Sequence, residues 1–236
     1  MNSKLIMQKL ICFDFDDVLV NNKMVFKLPL IGHKLRTFEL GAQFIEGNMD
    51  PKKFGDFVDE VMKQVKGVHI DHVMKLLLHM RLQKGAKETL ARLKKSKYKI
   101  VIVSTNDETF IRRFLEKHHL LDYVSHIYAA RFGLKDGLMT GKIYGDVIKT
   151  EKVGIVPRLE KIYKIKRSEI VYVGDGLTDL PIIERVGYGI LFNPNVITKM
   201  EVFTNKQLKK MENTKRLFLA EGKDLRCVLD FVPELK

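Results

Sequence analysis

The sequence predicts an α/β fold: a parallel sheet with helices on both faces, and a small helical domain inserted after the first strand. Three observations carry that prediction. Leu10-Ile11-Cys12-Phe13 is an apolar run of strand length that stops abruptly at Asp14, Asp16 and Asp17. A run buried on both faces belongs to a parallel sheet. From residue 82 onward, apolar strand-like runs alternate with helix-like segments, the pattern of a sheet built with crossover helices. Between these parts, residues 21–81 hold no buried strand run and instead carry helical spacing.

Composition bounds the remaining possibilities. A chain of 236 residues with 45% hydrophobic content supports a real core in one large or two modest domains. It has no apolar stretch of about 18 residues, so no membrane span is expected. The first ten residues lack the apolar region of a secretory signal. Two cysteines, Cys12 and Cys227, do not make a disulfide scaffold, and a reducing cytoplasmic setting is expected. With 42 basic and 29 acidic residues the net charge is +13, which favours anionic partners such as phosphorylated metabolites. The densest basic patch is Lys206, Lys209, Lys210, Lys215 and Arg216. No nucleic-acid-binding signature accompanies it, so it reads as a solvated helix face and nucleic acid is not the expected partner.

In the inserted part, Pro29, Gly32, Gly41, Gly47, Pro51 and Gly67 punctuate the chain. Residues 53–66 place Phe54, Phe57, Val58, Val61, Met62 and Val65 at helical spacing. Asp50 followed by Pro51 supplies an N-cap and a first-turn proline. A second helix is expected over 70–80, through Val73, Met74, Leu77 and Leu78. The insert is expected to lie over the carboxyl end of the first strand.

The core then reads in order. Helix is expected at 86–95, strand at 98–103 ending in Ser104-Thr105-Asn106, and helix at 107–118. A short strand at 124–130 precedes a hairpin at 132–143, turned at Lys135-Asp136-Gly137. A helix is expected from about 150 to 165, with Pro157 forcing a kink or a restart. Strand 170–173 ends at Gly174-Asp175-Gly176, a helix follows to Gly187, and strand 188–192 ends at Asn193-Pro194. The tail is less regular, with a helix near 206–211 and a strand near 217–220.

Several strands therefore end in polar side chains. Asp14 and Asp16 are two residues apart, so an extended backbone points both one way. In open α/β sheets that is where ligands bind. Two such charges about 4 Å apart repel by roughly 4 kcal/mol at an effective dielectric of about 20, so a cation is wanted between them. Each residue alone has an ordinary structural use. Asp14-x-Asp16 could be a solvated turn, Ser104 a helix cap, Lys152 a solvated lysine, Asp175 a tight turn, and Asp179 a first-turn helix acid.

Taken together, Asp14-Phe15-Asp16-Asp17-Val18-Leu19, Ser104, Lys152 and Gly174-Asp175-Gly176-Leu177-Thr178-Asp179 resemble, in order, the four motifs of the haloacid dehalogenase superfamily. The resemblance is closest to its phosphoserine-phosphatase-like branch, where the lysine precedes the last aspartate pair by the 23 residues seen between Lys152 and Asp175. It spans about residues 9–194 and leaves the tail poorly matched. It implies a Rossmannoid core formed by residues 1–20 and 82–236, with residues 21–81 as a helical cap. It also implies a Mg²⁺-dependent hydrolase of small phosphomonoesters. Asp14 would be the nucleophile and Asp16 the general acid and base. Mg²⁺ would sit on the Asp14 and Asp175 carboxylates and the Asp16 carbonyl, and Asp179 would orient a metal-bound water or Lys152. Ser104 and Lys152, with the backbone N–H groups of Thr105 and Asn106, would hold the phosphoryl oxygens.

The chain departs from that branch in the cap. The branch places an acid nine residues after the nucleophile, where this chain has Lys23, and a cap arginine where an ungapped count gives Asp59. Both signs are reversed, which disfavours a serine headgroup and suggests that Lys23 faces an anionic or hydroxyl-rich substrate. His69, His72, His118 and His119 lack the third ligand of a metal site. A phosphotransferase or mutase using the same aspartyl-phosphate, and a non-catalytic protein of this fold that binds anions or nucleic acid, are the competing readings.

Overall fold

The structure, a computed structural model, describes residues 9–21, 54–149, 152–233 and 235. Lys23 and the expected Asp50–Pro51 helix start lie outside the described residues. In chain order the elements are β1 (Lys9–Phe13), β2 (Val20–Asn21), α1 (Phe54–Gln64), α2 (Ile70–Leu77), β3 (Arg81–Leu82), α3 (Ala86–Lys95), β4 (Tyr98–Asp107) and α4 (Glu108–Lys117). There follow β5 (His126–Lys135), β6 (Leu138–Tyr144), α5 (Asp146–Lys149), α6 (Ile155–Tyr163), β7 (Ile170–Gly174), α7 (Leu180–Ile183), β8 (Tyr188–Phe192), α8 (Val196–Thr204), α9 (Lys206–Asn213) and β9 (Leu217–Ala220).

Seven strands form one sheet in the order β6-β5-β4-β1-β7-β8-β9. All neighbours are parallel except the β5–β6 pair. Leu10, Ile11, Cys12 and Phe13 are all fully buried. Successive residues face opposite sides of a sheet, so β1 is covered on both faces, as its unbroken apolar run requires. The chain leaves β1 for β4 on one side and reaches β7 on the other. This makes the carboxyl end of β1 the point where the strand order reverses, the position at which open α/β sheets bind ligands.

β2 pairs antiparallel with β3, Val20 opposite Leu82 and Asn21 opposite Arg81, so the inserted chain departs and returns side by side. Val61, Met62 and Val65 in and after α1, and Val73, Met74 and Leu77 in α2, are buried, as helical spacing demands. The turn between these helices clips onto the hairpin. The Gly67 N–H donates to the Met139 carbonyl at 2.8 Å, and the Met139 N–H donates to the Val68 carbonyl at 2.9 Å.

Three expectations are revised. The short strand at 124–130 and the first arm of the hairpin are one continuous strand, β5, which pairs parallel with β4 and antiparallel with β6. Its turn has Asp136 at φ 52° and Gly137 at φ 79°, both left-handed, as in the two-residue turn that suits strand twist. The helix expected from 150 begins at Ile155. Pro157 sits in that first turn, where a missing N–H costs no helical hydrogen bond. In the tail, α8 was not foreseen. Asn195 caps it by accepting from the Thr198 N–H, and Asn205 caps α9 by accepting from the Gln207 and Leu208 N–H groups.

Candidate active site

The Asp14 N–H donates to the Val173 carbonyl at 2.8 Å, carrying the β1–β7 pairing one residue past β1. The Asp14 carboxylate accepts the Phe15 N–H at 2.7 Å. Phe15 turns into the core, edge-on to Phe110 and Phe114 at 5.6 and 5.5 Å. These contacts anchor the loop on its apolar side while Asp14 and Asp16 occupy its polar side.

Lys152 reaches the same spot from the turn between α5 and α6. It is fully buried, with its backbone in the left-handed region at φ 64°. Its Nζ lies 3.0 Å from Asp14 Oδ2 and 2.7 Å from Asp179 Oδ1. A buried ammonium is tolerated only when paired and hydrogen-bonded, and here two carboxylates meet it. Asp179, also fully buried, is held on both oxygens. Oδ1 accepts from Lys152 and from the Tyr172 hydroxyl at 2.8 Å. Oδ2 accepts the N–H groups of Asp175 at 2.9 Å and Gly176 at 3.1 Å. This packing explains Gly174, because a Cβ there would lie 2.3 Å from Asp179 Cγ. Carboxylate oxygens of Asp14, Asp175 and Asp179 lie within 4.8 Å of one another.

On the other side, β4 extends to Asp107, four residues beyond the expected strand end. Ser104 is therefore not the cap of α4. Asp107 is, accepting the Phe110 N–H at 3.0 Å while its second oxygen accepts the Phe132 N–H at 2.9 Å. Ser104 is buried, and its Oγ accepts the Asn106 N–H at 3.0 Å. The Asn106 backbone donor is thus already engaged, and the end of β4 offers no helix N-terminus at Thr105 and Asn106. The Asn106 side-chain amide instead donates to both Asp16 oxygens at 3.2 and 3.1 Å, joining β4 to the β1 loop. Thr105, half-buried, lies between these two anchors.

Charge balance follows from this geometry. Burial raises the Asp14 carboxyl well above the ordinary value; Lys152 opposes the rise, while Asp179, Asp175 and Asp16 add to it. Burial likewise pushes Asp16 up to about 7, against the Asn106 hydrogen bond. For Lys152, burial alone would lower the value, but Asp14 and Asp179 outweigh it and keep the ammonium charged. For Asp179, Lys152 overcomes burial and, with the Lys152 and Tyr172 hydrogen bonds, holds it below the usual carboxylate range.

The structure thus gathers Asp14, Lys152, Asp175 and Asp179 in one cluster, sets Asp16 near it, and ties Ser104 to Asp16 only through Asn106. It does not bring in Asp59, which is exposed on α1 and takes no part in this network. Sequence reasoning missed Tyr172 and the Asn106 amide. Tyr172 reads as one more apolar strand residue, and only the side-chain direction reveals its hydroxyl. His69 and His72 stand with ring centroids 6.3 Å apart, and no histidine joins the carboxylate cluster among the described residues.

Comparison with known proteins agrees with this arrangement. The sequence model of the haloacid dehalogenase-like hydrolases matches residues 8–187. A phosphoserine phosphatase of Methanocaldococcus jannaschii is 30% identical over 194 residues, 81% of this chain and 89% of that protein. A solved phosphoserine phosphatase carrying a phospho-aspartyl intermediate analogue superposes with a TM-score of 0.78 at 27% identity, over 95% of this chain and 99% of that one. A substrate-bound phosphoserine phosphatase gives 0.78 at 26%, over 95% and 98%. The chain belongs to the haloacid dehalogenase-like hydrolases.

Proposed function

We propose that this chain is a Mg²⁺-dependent phosphomonoester hydrolase that acts on a small phosphorylated metabolite through a phospho-aspartyl group on Asp14. The observation that carries this reading is Lys152, a fully buried ammonium held at 3.0 Å from Asp14 and 2.7 Å from Asp179. The Asp14, Asp175 and Asp179 oxygens within 4.8 Å of one another are hard donors of the kind Mg²⁺ takes. Of these, Asp179 spends both oxygens on Lys152, Tyr172 and two backbone N–H groups. Its role is to aim Lys152, leaving Asp14, Asp175 and the Asp16 carbonyl to hold the ion. When bound, Mg²⁺ supplies positive charge against the carboxylates and the phosphoryl oxygens.

The residues then divide the reaction. Asp14 attacks phosphorus in line, its P–O bond forming as the bond to the leaving oxygen breaks. Asp16 gives its proton to that leaving oxygen, and burial that holds it near 7 keeps a protonated fraction at neutral pH. Water next attacks the phospho-aspartate, Asp16 takes its proton, and inorganic phosphate leaves with Asp14 restored. Lys152 has three N–H donors and uses two on Asp14 and Asp179, so the third serves a phosphoryl oxygen. Ser104 Oγ accepts from Asn106, which leaves its O–H to donate to another.

The division into a core of residues 1–20 and 82–236 and a cap of 21–81 is supported by the β2–β3 ribbon. A cytoplasmic setting is supported by two free thiols, Cys12 and Cys227. The relatives are named for phosphoserine, but nine residues after Asp14, where that branch places an acid, this chain has Lys23. A different phosphomonoester is therefore expected. The test is a panel of phosphorylated metabolites, phosphoserine included, with Mg²⁺ and with Asp14→Asn as control, assaying both free phosphate and transfer products. Phosphate release abolished by Asp14→Asn is expected. Transfer product without free phosphate would replace hydrolase by phosphotransferase. Phosphoserine as best substrate would overturn only the headgroup reading.

A further inference from the structure

We propose that the α8–α9 pair is a docking surface for anionic phospholipid membranes. The pair lies beyond residues 8–187, the part matched by the family, and carries features the hydrolase reading does not use. On α8, Val196, Met200 and Phe203 are 71%, 61% and 59% exposed. Their spacing of four and three residues lines them along one outward stripe, while Thr198 and Val202 face the core. On α9, Leu208 and Met211 are buried and Lys206, Lys209 and Lys210 are exposed. Lys209 Nζ lies 5.1 Å above the Phe203 ring, so the lysine face and the apolar stripe are contiguous. Among the described residues Lys206, Lys209 and Lys210 have no carboxylate partner, whereas Lys199 is paired with Glu221. Arg216, part of the same basic patch in the sequence, is spent on the Gly187 and Val186 carbonyls.

Charge complementarity selects an anionic occupant, and the net charge of +13 acts in the same direction at longer range. The form of the stripe selects a soft one. Among the described residues these side chains, each more than half exposed, protrude, and protruding Val, Met and Phe flanked by lysines match the boundary between lipid headgroups and acyl chains. Glu201 is also exposed on α8; it lies off the stripe, between the Met200 and Val202 directions.

The test is co-sedimentation of the full chain with phosphatidylcholine vesicles, with and without phosphatidylserine, at low and high salt. Binding to the serine-containing vesicles alone, weakened by salt, is expected. Met200→Ser with Phe203→Ser, and separately Lys206→Glu with Lys209→Glu and Lys210→Glu, should each weaken it by about tenfold or more. Phosphatase turnover on a soluble substrate should stay unchanged. No binding to anionic vesicles, or binding that survives both sets of changes, overturns the proposal. A concentration-dependent dimer in light scattering that Phe203→Ser dissolves would also overturn it, by assigning the stripe to a second copy of this chain.

Discussion

Replacing Tyr172 by Phe isolates one hydrogen bond at the centre of the site. The Tyr172 ring is fully buried and Phe preserves its packing, so the change removes only the hydroxyl that donates to Asp179 Oδ1 at 2.8 Å. A hydrogen bond to a charged group contributes about 1.5–3 kcal/mol. Asp179 retains Lys152 and the Asp175 and Gly176 N–H groups, which favours the lower end. For a chain of this size about 1 kcal/mol moves Tm by about 2–4 °C, so a fall of about 3–6 °C is expected. Asp179 is an acid held below its usual range. Such a group stabilises the fold above the unfolded carboxylate range, and that contribution is lost as pH falls through the folded value. The difference between wild type and Tyr172→Phe should therefore narrow in acid. Tyr128→Phe is the matched control, because the Tyr128 hydroxyl is buried without a hydrogen-bond partner among the described residues, and its loss should be neutral or stabilising. Thermal unfolding of the three proteins across pH reads out the comparison. Equal Tm values for Tyr172→Phe and wild type at neutral pH would refute the proposed anchoring of Asp179.

Other consequences are as direct. Asp14 and Asp16 are raised acids, Asp16 to about 7, so without metal their ionisation subtracts stability as pH rises from the ordinary carboxylate range through those values. Mg²⁺ at about a hundred times its Kd should therefore raise Tm by about 5–10 °C at about pH 8 and by much less at about pH 5, as a thermal-shift titration would record. Asn106→Ala removes the donors that favour ionised Asp16, so its value should rise further. The alkaline fall in turnover of an alkyl phosphate should then move to higher pH in a kcat profile. Gly174→Ala places a Cβ 2.3 Å from Asp179 Cγ. It should cost about 1–3 kcal/mol or more in a urea titration and lower kcat by displacing Lys152.

The part of the site carried by strand ends was legible in the sequence, because an apolar run that stops at a carboxylate declares both its burial and its exit. Leu10–Phe13 into Asp14 and Ile170–Gly174 into Asp175 are of this kind, and β8 and α3 match their expected bounds. What was not legible depended on partners distant in sequence. Asp107, the eventual cap, is 25 residues from Phe132, whose N–H it also binds. Pattern alone gave no reason to run β4 past Ser104. Asn106 and Tyr172 act through side-chain direction, which periodicity does not encode. α8 escaped because Val196, Met200 and Phe203 put apolar residues on its solvent side while Val202 is buried on the other, which flattens the amphipathic signal by which surface helices are recognised.

The two-residue ribbon in which Val20 lies opposite Leu82 and Asn21 opposite Arg81 has a consequence for how such a molecule changes over generations. Because the excursion starts and finishes at neighbouring points, lengthening it adds only a slowly growing entropy of closure. Insertions, deletions or wholesale exchange of the intervening chain need not alter the register of the seven strands. If the inserted part selects the substrate, as proposed above, substrate choice can drift quickly there while the seven-stranded part keeps its phosphorus chemistry.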